Sequence, residues 1–201
     1  MVTVTECTTL GKGRLRFHLD NGTELVLYRG EAKQFRMREG STLSDEEEHQ
    51  LIYEVVGKRA KRRTMHLLEQ MDRTEQQLRD KLKQGGYPQA CIDLAREYVK
   101  SFHYVDDYRY ACTYINYRQD RMSRYQLKVK LYGKGVSGEL VDRALEECYE
   151  GDEQEQIIRL LEKKKFDAQN SDPKEFTRVY QYLMRRGFRS NDVLRAMKSK
   201  Q

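Results

Sequence analysis

The stretch Leu82–Ala95, LKQGGYPQACIDLA, occurs in related form at two further places in the chain. It returns 49 residues later as LYGKGVSGELVDRA over Leu131–Ala144, and after another 52 residues as LMRRGFRSNDVLRA over Leu183–Ala196. Each copy begins with Leu, has Gly at its fifth position, and ends in Ala with an apolar residue three positions earlier. Self-similarity at such a period is typical of repeat proteins.

Each copy has the pattern of two helices joined by a tight turn. Apolar residues four apart lie on one helix face; they are the pairs Leu78/Leu82, Leu127/Leu131 and Val179/Leu183. A glycine then follows where a left-handed C-cap favours a residue without Cβ; these glycines are Gly86, Gly135 and Gly187. The pattern predicts second helices that begin near Pro88, Ser137 and Ser190.

A further helix is predicted ahead of each pair, over Lys58–Gln70, Asp107–Gln119 and Glu153–Lys165. Each three-helix module buries little surface alone, so neighbouring modules are expected to share interfaces. Leu, Ile, Val and Phe number only 43 of 201 residues, which favours a thin shape over a large globular core. We therefore predict a mainly α fold, an elongated curved array of three tandem three-helix modules.

The first part of the chain is predicted to form β-structure. Arg14–Leu19 alternates basic and apolar side chains, as a half-buried strand does. Asn21-Gly22 and a second apolar run, Glu24–Tyr28, follow, which indicates a small β-hairpin. Arg29–Leu43 is interpreted as a linker. The predicted segments are 1–43 (N-terminal β segment), 44–105 (linker helix and first repeat), 106–150 (second repeat) and 151–201 (third repeat).

The helix signals after Leu43 are local. Ser44 and Glu47 form a capping-box pattern. Pro88 and Pro173, the two prolines of the chain, are each predicted at the first position of a helix, where the missing N–H is tolerated.

Composition excludes several classes of protein. No apolar run approaches the roughly 20 residues of a membrane-spanning helix, and no secretory signal pattern is visible, so we expect a cytoplasmic protein. The four cysteines never form C-x-x-C and are interpreted as small buried thiols, with no metal site. No nucleotide-binding or activated-nucleophile motif occurs, and no cofactor is expected.

The formal net charge of +6 is uneven, because residues 1–49 carry net −2 and all of the basic excess follows them. Such a balance favours a polyanion or an acidic protein surface as the partner. Basic side chains with interleaved tyrosines can hold phosphates and stack on bases, although each cluster can equally be a solvated face. The candidates are Arg59, Arg62, Arg63, Arg118, Arg121, Arg124, Tyr125, Lys128, Lys130, Lys134, Arg185, Arg186 and Arg189.

Asp106-Asp107 is the one acidic pair that precedes a helix in an aromatic setting. Paired carboxylates can bind a metal or act as acid and base, but they also cap helices. We favour capping and packing between modules, and thus a structural role together with Gly86, Gly135 and Gly187.

Two blocks give the chain a resemblance to the RecX family, whose members regulate the RecA recombinase. FHYVDDYRYA (Phe102–Ala111) is similar to the family's block of paired aspartates ahead of an alanine, and LKVKLYGKGV (Leu127–Val136) is similar to its lysine-glycine block. Two positions depart from the family pattern: Ser123 stands where glycine is usual, and Lys130 where an acidic residue is usual. Ser123 can still cap a helix.

The resemblance implies a non-catalytic regulator that binds the RecA–DNA filament, inhibits its recombinase and ATPase activity, and so modulates DNA repair, homologous recombination and the SOS response. A monomer that contacts RecA and single- or double-stranded DNA is expected. One alternative is a general basic DNA-binding module that acts without RecA. Another is a metal-dependent nuclease that uses Asp106 and Asp107.

Overall fold

The computed structural model describes residues 1–199 and divides into two compact units, Met1–Asp106 and Asp107–Gln201. The chain is mainly helical, with antiparallel strands at its N-terminus and three three-helix modules after them. This confirms the predicted mainly α fold with an N-terminal β segment and three tandem three-helix modules. No helix in the described part of the chain is both long and apolar enough to cross a membrane.

A four-stranded antiparallel sheet opens the first unit, in the order β3-β2-β1-β4. The strands are β1 (Val2–Gly11), β2 (Arg14–Leu19), β3 (Glu24–Tyr28) and β4 (Thr42–Leu43). The predicted hairpin is confirmed as β2–β3, where Phe17 faces Leu25 in the register. The inward side chains of these strands are buried because alternate residues of a strand point to the same face.

The segment predicted as a linker is more regular than expected. Arg29–Gln34 forms helix α1, and Thr42–Leu43 returns as β4 to pair with the start of β1. Tyr28 and Glu31 satisfy the first backbone groups of α1, since the Tyr28 N–H donates to Glu31 Oε2 at 2.8 Å. The sequence pattern missed both elements because each is shorter than two helical turns or three strand residues.

The first module follows the sheet. Helix α2 (Asp45–His49) and a π-helical segment (Gln50–Val56) precede it, and its three helices are α3 (Gly57–Gln70), α4 (Glu75–Gln84) and α5 (Gln89–Ser101). The capping box at Ser44 is confirmed, with Glu47 N–H donating to Ser44 Oγ at 3.1 Å and Ser44 N–H to Glu47 Oε2 at 2.9 Å. Buried residues of the sheet, α3 and α5 belong to one hydrophobic core, so the sheet is part of this unit.

The second unit contains the other two modules. Its helices are α6 (Asp107–Arg118), α7 (Arg124–Tyr132), α8 (Gly138–Cys148), α9 (Glu153–Lys163), α10 (Pro173–Arg185) and α11 (Ser190–Ser199). The predicted first helices of these modules end one and two residues earlier than the periodicity suggested. Each module has its own cluster of buried residues, around Leu131 in one and Leu183 in the other.

The three repeated glycines adopt the same backbone conformation. Gly86, Gly135 and Gly187 have φ values of 75°, 82° and 79°, the left-handed region that side chains disfavour. After Gly86, the Tyr87 N–H reaches back to the Leu82 carbonyl at 3.2 Å, and Val136 makes the equivalent bond to Leu131 at 3.2 Å. The predicted C-caps are therefore confirmed.

The two prolines differ. Pro173 is the first residue of α10, as predicted, and Asp172 before it caps the helix by accepting from the Glu175 N–H. Pro88 is instead the cap residue, and α5 begins one position later at Gln89. The prediction for Pro88 was wrong by one residue, since its extended backbone (ψ 154°) precedes the helix.

The prediction of four buried thiols was also wrong. Cys112 of α6 and Cys148 at the end of α8 are joined by a disulfide, with Cα atoms 5.6 Å apart, and Cys7 is only half-buried. Cys91 alone fits the expectation: it is fully buried, and burial raises the pKa of its thiol to about 12. The pair was hidden because 36 residues separate its members, which meet only where α6 packs on α8.

Candidate nucleic-acid and partner-binding surface

The end of α4 is the point where the sheet packs on the first module. The Val26 N–H of β3 donates to the Gly86 carbonyl at 3.1 Å, and a Cβ on Gly86 would lie 2.3 Å from Val26 Cγ2. Gly86 is therefore required twice, by its positive φ and by the close approach of the strand. This contact fixes the position of Tyr28, two residues further along β3, next to α3 and α4.

A basic recess of about 410 Å³, here called the N-terminal recess, lies beside this contact. Side chains from both strands and helices line it, and six of them matter below: Arg14, Tyr28, Arg59, Arg63, Lys81 and Tyr87. The described residues that line this recess include four cationic side chains and no carboxylate. A cavity of this size and charge can hold an anionic group of nucleotide dimensions.

Arg59 is fixed at the base of the N-terminal recess. It is 21% exposed, forms an ion pair with Glu31, and donates to the Val26 carbonyl at 2.5 Å. Its guanidinium carbon also lies 5.0 Å from the centroid of the Tyr28 ring and 5.3 Å from that of Tyr87, within cation–π distance. Arg59 thus joins sheet, α1 and α3, and its donors are largely occupied.

The other three cations of the recess, unlike Arg59, are not held by a carboxylate within residues 1–199. Arg63 and Lys81 are exposed and Arg14 is half-buried, and no carboxylate in the described chain forms an ion pair with any of them. Burial raises the pKa of the Tyr87 hydroxyl, while the positive charges of Arg59 and Arg63 act in the opposite direction. The recess therefore carries uncompensated positive charge beside two aromatic rings.

The end of α10 has an equivalent contact with the preceding module. A Cβ on Gly187 would lie 2.2 Å from Tyr125 Cδ1. Beside it, the hydroxyl of the buried Ser123 donates to the Arg186 carbonyl at 2.6 Å and accepts from the Gln126 N–H at 3.2 Å. The start of α7 is thus attached to the C-cap of α10.

A second recess, here called the C-terminal recess, lies beside Gly187 and has a volume of about 310 Å³. It contains three predicted cations but also two carboxylates: Arg124, Lys128, Arg189, Asp142 and Glu153. Lys128 forms an ion pair with Asp142, which raises the pKa of the lysine. Glu153 accepts from the Arg124 backbone N–H at 2.8 Å. The basic charge here is therefore partly neutralised.

Other predicted cations of the second module lie on tyrosine rings. Arg118 and Lys134 both approach the ring of Tyr114, at 5.1 Å and 5.2 Å from its centroid. Arg121 is exposed in the turn between α6 and α7, and Lys130 is exposed on α7. The structure brings Arg118 and Lys134 together around one ring, but gives no shared contact that includes Arg121 or Lys130.

The remaining predicted cations lie on the first and third modules. Arg62 is exposed on α3, next to Arg63 in sequence, and Arg185 is exposed at the end of α10. Arg186 is half-buried, with its guanidinium carbon 4.9 Å from the centroid of Tyr182. Arg186 therefore contributes its carbonyl to Ser123 and its side chain to packing.

The acidic pair stands at the junction between the two compact units. Asp107 is the first residue of α6, where a carboxylate favours the helix dipole, and Asp106 directly precedes it. Within residues 1–199, no three His, Cys, Asp or Glu side chains come close enough together to hold a metal ion. The structural role favoured for the pair stays a prediction.

Another cavity of the first unit has an acidic rather than a basic lining. It measures about 780 Å³ and lies between the β2–β3 turn, α2 and the start of α5. Its charged lining includes Glu24, Asp45 and Glu48, against Lys83 and His49. Residues 1–49 carry a net charge of −2. This segment-wide charge hides the fact that Arg14 and Tyr28 join the basic side chains of α3 and α4.

Comparison with known proteins supports the repeat. Sequence models of the first, second and third three-helix domains of RecX match residues 60–98, 106–145 and 151–197, in that order. The chain belongs to the RecX family. Its three matched domains coincide with the three modules built from Gly86, Gly135 and Gly187.

Several RecX proteins are similar over most of the chain. "Regulatory protein RecX" of Caldanaerobacter subterraneus subsp. tengcongensis is 29% identical over 162 residues, which is 80% of each chain. The protein of the same name from Clostridium acetobutylicum is 25% identical over 208 residues, covering 98% of this chain and 94% of the relative.

Two solved structures share the fold. A crystal structure of a regulatory protein RecX matches with a TM-score of 0.64 at 20% identity, over 96% of this chain and 97% of that one. RecX from Lactobacillus salivarius matches with a TM-score of 0.63 at 17% identity, over 72% of this chain and 96% of that one.

The two departures from the RecX pattern have different consequences. Ser123 caps α7, as expected, and also makes the bond to Arg186 that a glycine at this position could not make. Lys130 is exposed on α7 and adds positive charge at the surface of the second module. The serine is therefore a local adaptation that attaches the second module to the third.

Proposed function

We propose that this protein binds the RecA–DNA filament and inhibits its recombinase and ATPase activity, thereby modulating DNA repair and homologous recombination. The observation that carries the proposal is the ordered match of three RecX three-helix domains to residues 60–98, 106–145 and 151–197. The protein acts by binding, as a cytoplasmic monomer without a cofactor, and its own residues catalyse no reaction.

The distribution of charge supports contact with a polymer. Each module carries exposed basic side chains, including Arg62, Arg121 and Arg185. Several weak contacts on one chain bind a repeating partner far more tightly than any one of them alone. In this proposal the basic residues of the second and third modules contact the filament, and Gly86, Gly135 and Gly187 maintain the modules that present them.

The test adds the purified protein to RecA on single-stranded DNA and follows ATP hydrolysis and strand exchange. We expect both rates to fall as the protein approaches stoichiometry with RecA. Unchanged rates at a stoichiometric excess would defeat the proposal.

The contact surface has its own test. Arg121→Glu, Arg124→Glu and Lys128→Glu together should weaken inhibition while circular dichroism shows unchanged helicity. Full inhibition by this triple variant would place the filament contact elsewhere on the chain.

A second candidate is direct DNA binding without RecA. The uncompensated cations of the N-terminal recess favour it, because electrostatic contact with phosphates is the main source of affinity for nucleic acids. The two functions are compatible, since a filament presents both protein and DNA.

A further inference from the structure

We propose that the N-terminal recess is a binding site for single-stranded DNA, in which Arg14, Arg63 and Lys81 hold the phosphates and Tyr28 stacks on a base. This inference rests on the proposed function, because the polymer inside a recombinase filament is DNA. It adds a defined site to that function, and it places part of this site in the N-terminal β segment.

The charge of the recess selects an anion. Four cations line it without a carboxylate, and Arg14, Arg63 and Lys81 form no ion pair in the described chain. They come from β2, α3 and α4, three elements of one compact unit. Their relative positions are therefore set by the fold, which lowers the entropy that an anionic ligand must overcome.

Arg59 is not expected to bind a phosphate. Its guanidinium is held by Glu31 and by the Val26 carbonyl, and it lies against the rings of Tyr28 and Tyr87. It therefore acts as a positioning residue that orients Tyr28, while the unpaired charge of the recess comes from Arg14, Arg63 and Lys81. Tyr28 as a residue is 49% exposed, and Arg59 lies over one face of its ring, so a ligand can approach the rest of the side chain.

The aromatic component distinguishes single strands from duplexes. Base–aromatic stacking needs an unstacked base, which a single strand offers and an intact duplex does not. A combination of cations and accessible rings is the usual composition of single-strand sites. An acidic peptide would use the cations but gain nothing from the exposed ring.

The test measures binding of a fluorescein-labelled 20-residue oligo(dT) to the full chain by fluorescence anisotropy, without RecA. Arg14→Glu with Arg63→Glu should weaken affinity at least about tenfold, because two phosphate contacts become repulsive. Tyr28→Ala should weaken it about fivefold or more, whereas Tyr28→Phe should retain affinity because the ring remains. Lys33→Glu with Arg38→Glu makes the same change of net charge on exposed residues outside the recess and should have a small effect.

Three results would overturn the inference. The first is equal affinity of the wild-type protein and the Arg14→Glu, Arg63→Glu variant. The second is tighter binding of a duplex of matched length, together with no effect of Tyr28→Ala. The third is displacement of oligo(dT) by poly-glutamate at equal charge concentration, which would indicate an acidic protein as the ligand.

The milder pair Arg14→Gln and Arg63→Gln repeats the test with less risk to folding, and thermal melts check each variant. A RecA ATPase assay with the same proteins separates the two proposals. Inhibition by the wild-type protein with unaltered oligo(dT) affinity of the recess variants would overturn this inference and leave the proposed function standing. Absence of inhibition by the wild-type protein would defeat the proposed function itself.

Discussion

The N-terminal and C-terminal recesses occupy corresponding positions in the repeat and differ in charge. Each lies beside a repeated glycine at the end of a module's middle helix, Gly86 in one and Gly187 in the other, and each glycine is covered by a side chain from another element. The first recess has four cations and no carboxylate, whereas the second has three cations and two carboxylates.

The two sites share the backbone conformation of the helix end and differ in the element that packs against it. The backbone of the helix end is the same because glycine in the left-handed region is needed in each copy. The neighbour is different: β3 contributes Val26 in the first case, and α7 contributes Tyr125 in the second. The charged side chains around the two glycines differ as well. In our proposal the helix end at Gly86 therefore takes part in DNA contact, whereas the helix end at Gly187 attaches one module to the next.

The largest expected effect concerns the glycines themselves. Gly86→Ala and Gly187→Ala should each lower the free energy of unfolding by about 2–4 kcal/mol, because an added Cβ is strained at positive φ and collides with its neighbour. Gly22→Ala is the control, with φ of 81° and nothing within 4 Å of the added Cβ; it should lose only about 1 kcal/mol. Urea unfolding followed by circular dichroism measures all three. Equal losses at the three sites would contradict close packing at the recesses.

Ser123 tests the attachment between modules, which only the C-terminal recess has. Ser123→Ala should lower the free energy of unfolding by about 1–3 kcal/mol, because the cap of α7 and the bond to Arg186 are both lost. Ser123→Gly retains most of the capping and should lose about 1 kcal/mol, which isolates the bond.

The matched control for Ser123 is Ser137→Ala. Ser137 is also a cap residue, but its exposed side chain accepts no capping hydrogen bond, so we expect a change within about 0.5 kcal/mol. A Ser123→Ala variant as stable as this control would show that the attachment contributes nothing.

A smaller change in DNA affinity should follow when the C-terminal recess loses its carboxylates and so resembles the N-terminal recess. Asp142→Asn with Glu153→Gln removes the carboxylates of the C-terminal recess, while the amide oxygen introduced at position 153 can still accept from the Arg124 N–H. We expect the affinity for oligo(dT) to rise about two- to fivefold, since Lys128 loses its ion pair with Asp142 and the recess loses two negative charges. Asp72→Asn with Glu146→Gln changes net charge equally at exposed positions and should have less effect. Equal gains in the two double variants would mean that only net charge matters.

Much of the fold could be predicted from the chain, because its signals are local. The i,i+4 pairs such as Leu127/Leu131 and the capping glycines lie within one helix and its turn, so periodicity located every module. Strand β4 was missed because it depends on pairing with β1 rather than on its own pattern, and helix α1 because six residues are too few to show helical periodicity.

The recesses depend on contacts between distant residues, and here the sequence was less informative. Arg14 and Arg63 are 49 residues apart in the chain and line the same recess because β3 packs against Gly86. Charge counted along the chain assigned Arg14 to an acidic segment and gave most attention to the second module. It could not show that Asp142 pairs with Lys128, or that Cys112 lies beside Cys148.

The salt dependence of oligo(dT) affinity is the most direct test of a DNA site in the N-terminal recess. The slope of log affinity against log salt concentration reflects the number of phosphates that the protein contacts. Three proteins are compared by anisotropy between low and physiological salt: wild type, Arg14→Gln with Arg63→Gln, and Arg124→Gln with Arg189→Gln. We expect the first pair of substitutions to lower the slope by about 1.4, or about 0.7 for each lost contact, and the second pair to leave it unchanged. An unchanged slope for the first pair, with a reduced slope for the second, would contradict this expectation.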